Sequence, residues 1–267
     1  MAQAVVDISN VTKIYGSAKS DVIALKNVSL SLQENEFLCI VGPSGCGKTT
    51  LLNLLAGFEH PTSGNVTAFG KTISAPGPDR TMIFQDYALF PWLTVSGNIQ
   101  YGLKRKGVAK AERKEITDHY IDLIELRGFE EKYPHQLSGG MRQRVALARA
   151  LAVDPAVLLM DEPFGALDSF TREKMQDELI RVWQRERKAV LFITHSIDEA
   201  IRLADRVVVM SPRPGRISNI ISLSSERPRD VNTSDNIRVI QEVRETLHLI
   251  AGQKGPAKVG SSPTRVH

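Results

Sequence analysis

Cysteine is scarce. The 267-residue chain has only Cys39 and Cys46, which excludes a disulfide framework and fits a reduced compartment. Long hydrophobic runs are also missing: no stretch approaches the ~18 uninterrupted apolar residues that a membrane helix needs. Met1 to Asp7 hold no basic cluster leading into a long apolar core, which predicts no signal peptide. Nor is there a strong charge bias, with a net charge of +4 and a pI of about 9.1. Such mild basicity suits polyanionic nucleotides or an anionic membrane surface and gives no ground for a nucleic-acid partner. With 42% hydrophobic and 24% charged residues, the chain reads as an ordinary globular protein, one large α/β domain or two small lobes.

What is present centres on Gly42-Pro43-Ser44-Gly45-Cys46-Gly47-Lys48-Thr49. This fits G-x-x-x-x-G-K-[ST], a phosphate-cradling loop. Phe37 to Val41 reads as a buried strand before it, and Thr50 to Leu55 as the first turns of a helix after it. Free backbone N–H groups and the positive end of the helix dipole favour an anion at such a junction. Lys48 can reach the β/γ-phosphates, and Thr49 can place a hydroxyl on Mg²⁺.

Ahead of the loop, Ala4–Ile8, Val22–Leu25 and Val28–Leu32 alternate as antiparallel strands. Tyr15 lies between the first two. It can stack on an adenine ring, while spacing alone favours a half-buried sheet tyrosine. Val66–Phe69 and Met82–Phe84 also read as strands. Gln85 follows the second at once, where a glutamine beside phosphates can ligate Mg²⁺ or orient a water, although a surface glutamine would look the same. From 86 to 155 the chain reads helical, opening on Tyr87, Phe90 and Trp92. These aromatics fit the small core of a helical lobe, an apolar groove for a partner helix, or both. Ser138-Gly139-Gly140 then opens a helix with Val145, Ala148, Leu151 and Ala152 on one face. Capping explains Ser138. Two glycines in the first turn cost helix stability and make sense where a backbone or a phosphate must come close.

Ala156 to Met160 is a continuous apolar run, hence a buried parallel strand, and it ends in Asp161-Glu162. Carboxylates at a strand's C-terminal end sit on the edge where open α/β sheets bind ligands. Asp161 can hold the Mg²⁺ shell and Glu162 can polarise the attacking water. The next helix carries Met175, Leu179 and Trp183 as its inner stripe. Val190–Thr194 is another buried strand, and His195 stands at its end on the same edge. Arg206–Met210 is a further strand, closed by the Ser211–Gly215 turn. Ile237, Ile240, Val243, Leu247 and Ile250 space as one helical stripe. Residues from Gly252 onward have a disordered composition.

Together these motifs resemble the nucleotide-binding subunit of an ABC transporter over residues 4 to 225. The matching elements are Walker A at Gly42–Thr49, Gln85, the signature Leu137-Ser138-Gly139-Gly140, Walker B at Val157–Glu162, Ala166-Leu167-Asp168 and His195. Phe90–Val95, Phe164–Glu173 and Ser211–Ile217 are similar to the nitrate/sulfonate/taurine importer branch. The resemblance implies an ABC ATPase fold: a P-loop NTPase α/β core with an antiparallel β-subdomain and a helical signature subdomain. It also implies a division into an ATPase domain at 1–225 (helical part about 86–155), a C-terminal helical extension at 226–251 and a tail at 252–267.

The implied mechanism is ATP hydrolysis with Mg²⁺ in a homodimer. Each ATP lies between the Walker A loop of one copy, with Thr50, Gln85 and Tyr15, and Ser138, Gly139, Gly140 and Gln143 of the other. Thr49, Gln85 and Asp161 hold the metal, Asp161 through water. Glu162 is the base, His195 holds the γ-phosphate and the water in line, and Asp168 links the sites. Two membrane permease subunits dock near Gln85, Phe90 and Trp92 at the cytoplasmic face of the membrane, with an extracytoplasmic solute-binding protein acting indirectly. Soluble ABC ATPases of DNA repair or translation carry long insertions, zinc sites or duplicated cassettes. Here one cassette places Ser138 90 positions after Lys48, and two cysteines cannot build a zinc site. An intact Glu162 and His195 argue against a non-enzymatic interaction module.

Overall fold

The computed structural model describes residues 4–17, 20–165, 167–227 and 229–252. Ala166 and the tail from 253 therefore lie outside the described residues.

Two sheets form the molecule. Strands β1 (Ala4–Ser17) and β2 (Ser20–Gln33) make a long antiparallel hairpin. It continues through β4 (Ser63–Ala68) to β5 (Lys71–Thr72) in the order β2-β1-β4-β5. The second sheet runs β10-β9-β3-β8-β7-β6. Its members are β3 (Phe37–Val41), β6 (Arg80–Ile83), β7 (Val157–Asp161), β8 (Ala189–Ile193), β9 (Arg206–Ser211) and β10 (Arg216–Ser222). Only the β9–β10 pair is antiparallel.

The apolar runs of β3, β7, β8 and β9 are explained by burial on both faces. Side chains alternate along a strand. Leu38 and Ile40 of β3 therefore join a cluster with the hairpin and with helix α1 (Lys48–Ala56). Phe37, Cys39 and Val41 join the other cluster, which holds the remaining helices. These are α2 (Val95–Arg105), α3 (Lys110–Leu123), α4 (Gly139–Ala152), α5 (Ser169–Glu186), α6 (Ile197–Leu203) and α7 (Ser234–Gly252). Met175, Leu179 and Trp183 are buried on α5 as their spacing predicts.

Three expectations need correction. The three N-terminal strands are two, because Asn10 and Asn27 take left-handed backbone conformations inside the strands instead of ending them. The pairing shifts register there and resumes, as at a bulge. Tyr15 consequently sits within β1. Second, residues 86–94 form turns before α2, so helix begins later than expected. Third, Ile237 is 41% exposed. The inner face of α7 is made by Asn236, Ile240 and Val243, with Val239, Leu247 and Ile250 packed beside them.

Candidate active site

The site assembles at the C-terminal ends of β3, β7 and β8, where parallel sheets present ligand-binding loops. Gly42 follows β3 and starts the loop. Gly47 sits at φ 92 as the residue before α1. A Cβ there would lie 2.6 Å from Leu25 Cδ2 and 2.9 Å from the Ala24 carbonyl, so no other residue fits. Helix α1 has no side-chain cap at its N-terminus, which leaves its first N–H groups free for an anion. Lys48 is buried, and its ammonium donates to the Gly42 carbonyl at 2.8 Å and the Pro43 carbonyl at 3.4 Å. The loop thus wraps its own lysine. Cys46 is buried beneath it, and burial pushes its thiol up.

A cleft of about 790 Å³ opens over this loop, floored by Ser44, Gly45, Lys48, Thr49 and Thr50. Tyr15, on the hairpin wall, is 40% exposed. Its hydroxyl donates to Glu59 Oε2 at 2.5 Å, and the Lys13 ammonium sits 5.0 Å from its ring centroid. Tyr15 is therefore both a sheet residue and a cleft wall.

Glu162 closes the opposite side. Its φ of 45 is left-handed, and its N–H donates to the Ile193 carbonyl at 3.0 Å. Such a backbone position is costly for a non-glycine residue; here it turns the carboxylate towards β8. Glu162 Oε2 lies 3.2 Å from His195 Nδ1. Asp161 ends β7 half-buried. Burial raises its carboxyl above the usual range, opposed by a hydrogen bond from the Thr49 hydroxyl. Gln85 is exposed just after β6. Its amide is near Gly165, where an added Cβ would come within 3.6 Å.

The glycine-led helix is built as its sequence suggests. Ser138 Oγ accepts from the Met141 N–H at 3.3 Å. A Cβ added at Gly139 would meet Leu167 at 3.4 Å, and one at Gly140 would meet Thr171 at 3.4 Å. These are ordinary contacts, so packing within this chain does not demand glycine. None of these three residues lines the cleft. Gln143 does not fit its expected role. It is 6% exposed on the inner side of α4, its Oε1 has no hydrogen-bond partner among the described residues, and its neighbours include Met160 and Phe164. A side chain so enclosed is not presented to a second copy. Asp168 caps α5, accepting from the Thr171 N–H at 3.0 Å, which holds its carboxyl below the usual range.

Among the expected aromatics, Tyr87 is buried, Phe90 is half-buried and Trp92 is 70% exposed. The Phe90 ring lies 5.6 Å from Trp92 and 4.3 Å from Tyr101.

Sequence reasoning missed two groups. Val22–Ala24, Arg213 and Pro214 also line the cleft, because Gly215 pairs with Ala24 and Lys26 through backbone hydrogen bonds of 2.9 Å. Beneath His195, the buried Glu199 accepts from Gln176 Nε2 at 2.8 Å and from the Thr194 hydroxyl. The Ser196-x-x-Glu199 spacing, a capping pattern, was the available signal: Ser196 Oγ accepts from the Glu199 N–H at 3.3 Å.

Comparison with known proteins agrees with this geometry. Residues 25–165 match the family described as ABC transporter. An uncharacterized ABC transporter ATP-binding protein, MJ0412 of Methanocaldococcus jannaschii, is 54% identical over 84% of this chain and 84% of that protein. The nitrate import ATP-binding protein NrtD of Synechocystis sp. is 47% identical over 86% of each. The bicarbonate transport protein CmpD from the same genus is 48% identical over 84% of this chain and 80% of that protein. Among solved structures, a dimeric post-hydrolysis state of the cassette MJ0796 bound to ADP and Pi superposes with a TM-score of 0.72 at 35% identity. It covers 83% of this chain and 100% of that one. Fold, cleft and relatives converge: the chain belongs to the ABC transporter family, as an ATP-binding subunit that hydrolyses ATP.

Proposed function

We propose that this subunit powers import of a small anionic solute, of the class that includes nitrate, bicarbonate, sulfonates and taurine. The nitrate and bicarbonate names of the relatives support that class. The residue assignments rest on one observation above all, the Glu162–His195 pair at the rim of a cleft floored by Lys48 and Thr49.

In this reading the loop Gly42–Thr49 with Thr50 wraps the triphosphate, Lys48 exchanges its backbone partners for phosphate oxygens, and Tyr15 stacks on adenine. Glu162 accepts the proton of the attacking water. His195 orients that carboxylate and reaches the γ-phosphate. The Thr49 hydroxyl and the Asp161 carboxylate are the hard oxygen donors that Mg²⁺ takes, with the Gln85 amide oxygen as a third. Mg²⁺ bound there would neutralise charge on the phosphate oxygens.

Ser138, Gly139 and Gly140 complete the site from a second copy of the chain. The absence of any packing need for glycine at 139 and 140 supports that role, and the dimeric cassettes among related structures are consistent with it. Asp168, at the start of α5, lies beside that interface. Among the described residues, no helix is long and apolar enough to cross a membrane. Attachment to the cytoplasmic face then comes from two permease subunits seated near Gln85, Phe90 and Trp92. Residues 1–225 act as the cassette, with 86–155 as its helical part and 226–251 as an extension that joins the same core.

The test is phosphate release by the purified chain with ATP and magnesium, paired with solute uptake by a strain lacking the gene. Loss of uptake for nitrate, bicarbonate or a sulfonate, restored by the intact gene and not by Glu162→Gln, is the expected result. Unaltered uptake of all these anions would refute the solute class.

A further inference from the structure

Arg149 lies on α4, the helix that Gly139 and Gly140 begin. Its guanidinium reaches out of the helix to the segment just after Gln85. One Nη donates to the Ala88 carbonyl at 2.6 Å and the other to the Tyr87 carbonyl at 2.8 Å. Tyr87 and Ala88 have φ values of 64 and 42. Two successive non-glycine residues in the left-handed region do not hold that shape unaided. The planar fork of an arginine, with donors in fixed directions, matches two adjacent carbonyls in a way a lysine ammonium does not.

The same guanidinium lies 5.4 Å from the centroid of Phe90, within the range of a cation–π contact. Phe90 in turn touches the exposed Trp92 and Tyr101. No carboxylate pairs with Arg149 among the described residues, and burial pulls its pKa down. A desolvated cation satisfied only by carbonyls and a ring is expensive. Its two hydrogen bonds bind α4 to a loop whose shape they themselves maintain.

We infer that Arg149 is a positioning residue that couples the Phe90–Trp92 surface to Gln85 and to the start of α4. The physical path is short. Gln85 and Phe90 are the two ends of one segment, and Arg149 grips its middle from a rigid helix. Displacement of the aromatic end moves α4 and Gln85 together. Without the fork, the left-handed pair relaxes and the two ends move independently. This inference rests on the proposed reading of Gln85 and the signature residues as nucleotide contacts.

The experiment uses the full chain labelled with 5-fluorotryptophan, which gives two ¹⁹F signals, from Trp92 and Trp183. The Trp92→Phe variant assigns them. A non-hydrolysable ATP analogue with magnesium is titrated, and its affinity is measured in parallel by calorimetry. In the unaltered chain the Trp92 signal is expected to shift on binding. In Arg149→Lys the affinity is expected to stay within twofold while the Trp92 shift falls by more than half. Ala88→Gly, which takes the left-handed conformation without strain and disturbs no side-chain contact of the core, is expected to keep the full shift. A role confined to stability would lower the melting temperature and leave the bound-state shift intact. A full shift in Arg149→Lys, a shift lost equally in Ala88→Gly, or no shift in the unaltered chain despite calorimetric binding overturns the coupling. Absence of binding in the unaltered chain overturns the nucleotide reading itself, and the coupling with it.

Discussion

Glu162 Oε2 and His195 Nδ1 stand 3.2 Å apart across the ends of two adjacent strands, β7 and β8. The Glu162 N–H is tied to the Ile193 carbonyl, and His195 follows a threonine bonded to the buried Glu199. Both partners are therefore held by the sheet. A general base contributes about 10²–10⁴-fold to a rate. Glu162→Gln is expected to slow phosphate release at least ~100-fold, to keep ATP binding and to elute as an ATP-dependent dimer by light scattering. Turnover at the normal rate would remove Glu162 from the role of base.

Lys48→Ala is expected to weaken ATP binding. A hydrogen bond to a charged group is worth about 1.5–3 kcal/mol, and ~1.4 kcal/mol is tenfold in affinity. Calorimetry should therefore register a loss of roughly 10- to 100-fold. An unchanged dissociation constant would place the phosphates elsewhere.

Trp92 is 70% exposed, so Trp92→Ala is expected to alter stability by no more than about 0.5 kcal/mol. Its effect should appear in fractionated host cells. The intact chain is expected to sediment with membranes and the variant to shift to the soluble fraction, with ATP affinity kept. Equal sedimentation of the two would assign the ring to no docking role.

Glu178 on α5 is buried with Arg144 of α4 at 2.8 Å. Burial outweighs that guanidinium and pushes its carboxyl up to about 7. A folded-state pKa above the unfolded one gives stability that is fully present below the unfolded value and is lost as pH rises through the folded one. Between pH 5 and pH 8 the intact chain should therefore lose stability relative to Glu178→Gln. The expected relative shift in melting temperature is about 2–4 °C, equivalent to about 1 kcal/mol at this size. Parallel pH profiles for the two proteins would refute the raised carboxyl.

Much of the site could be read in advance because it is local. The phosphate loop, the Ser138 cap and the Asp161-Glu162 strand end are each set by a few neighbouring residues, and the structure holds them in the expected conformations. What escaped depends on distant partners. Arg213 and Pro214 reach the cleft only because Gly215 docks on Ala24 and Lys26. Gln143 was assigned to the nucleotide only through the family resemblance, and the packing of α4 against Met160 and Phe164 shows it enclosed. In the hairpin, Asn10 and Asn27 carry turn-like chemistry inside continuous strands. Ile237 fits a helical stripe by spacing, but α7 rotates Asn236 inward beside it.

The placement of β3 between β8 and β9 sets an order of events during synthesis. A nascent chain released from the ribosome only through the signature helix already contains every phosphate-loop residue. It still lacks both strands that flank the loop's own strand, and the Gly215 turn that abuts Cys46 from below. The framework around the phosphate loop is thus complete only when β9 and the Gly215 turn have been added. A fragment that ends at the signature helix therefore carries the loop's sequence without the framework that shapes it.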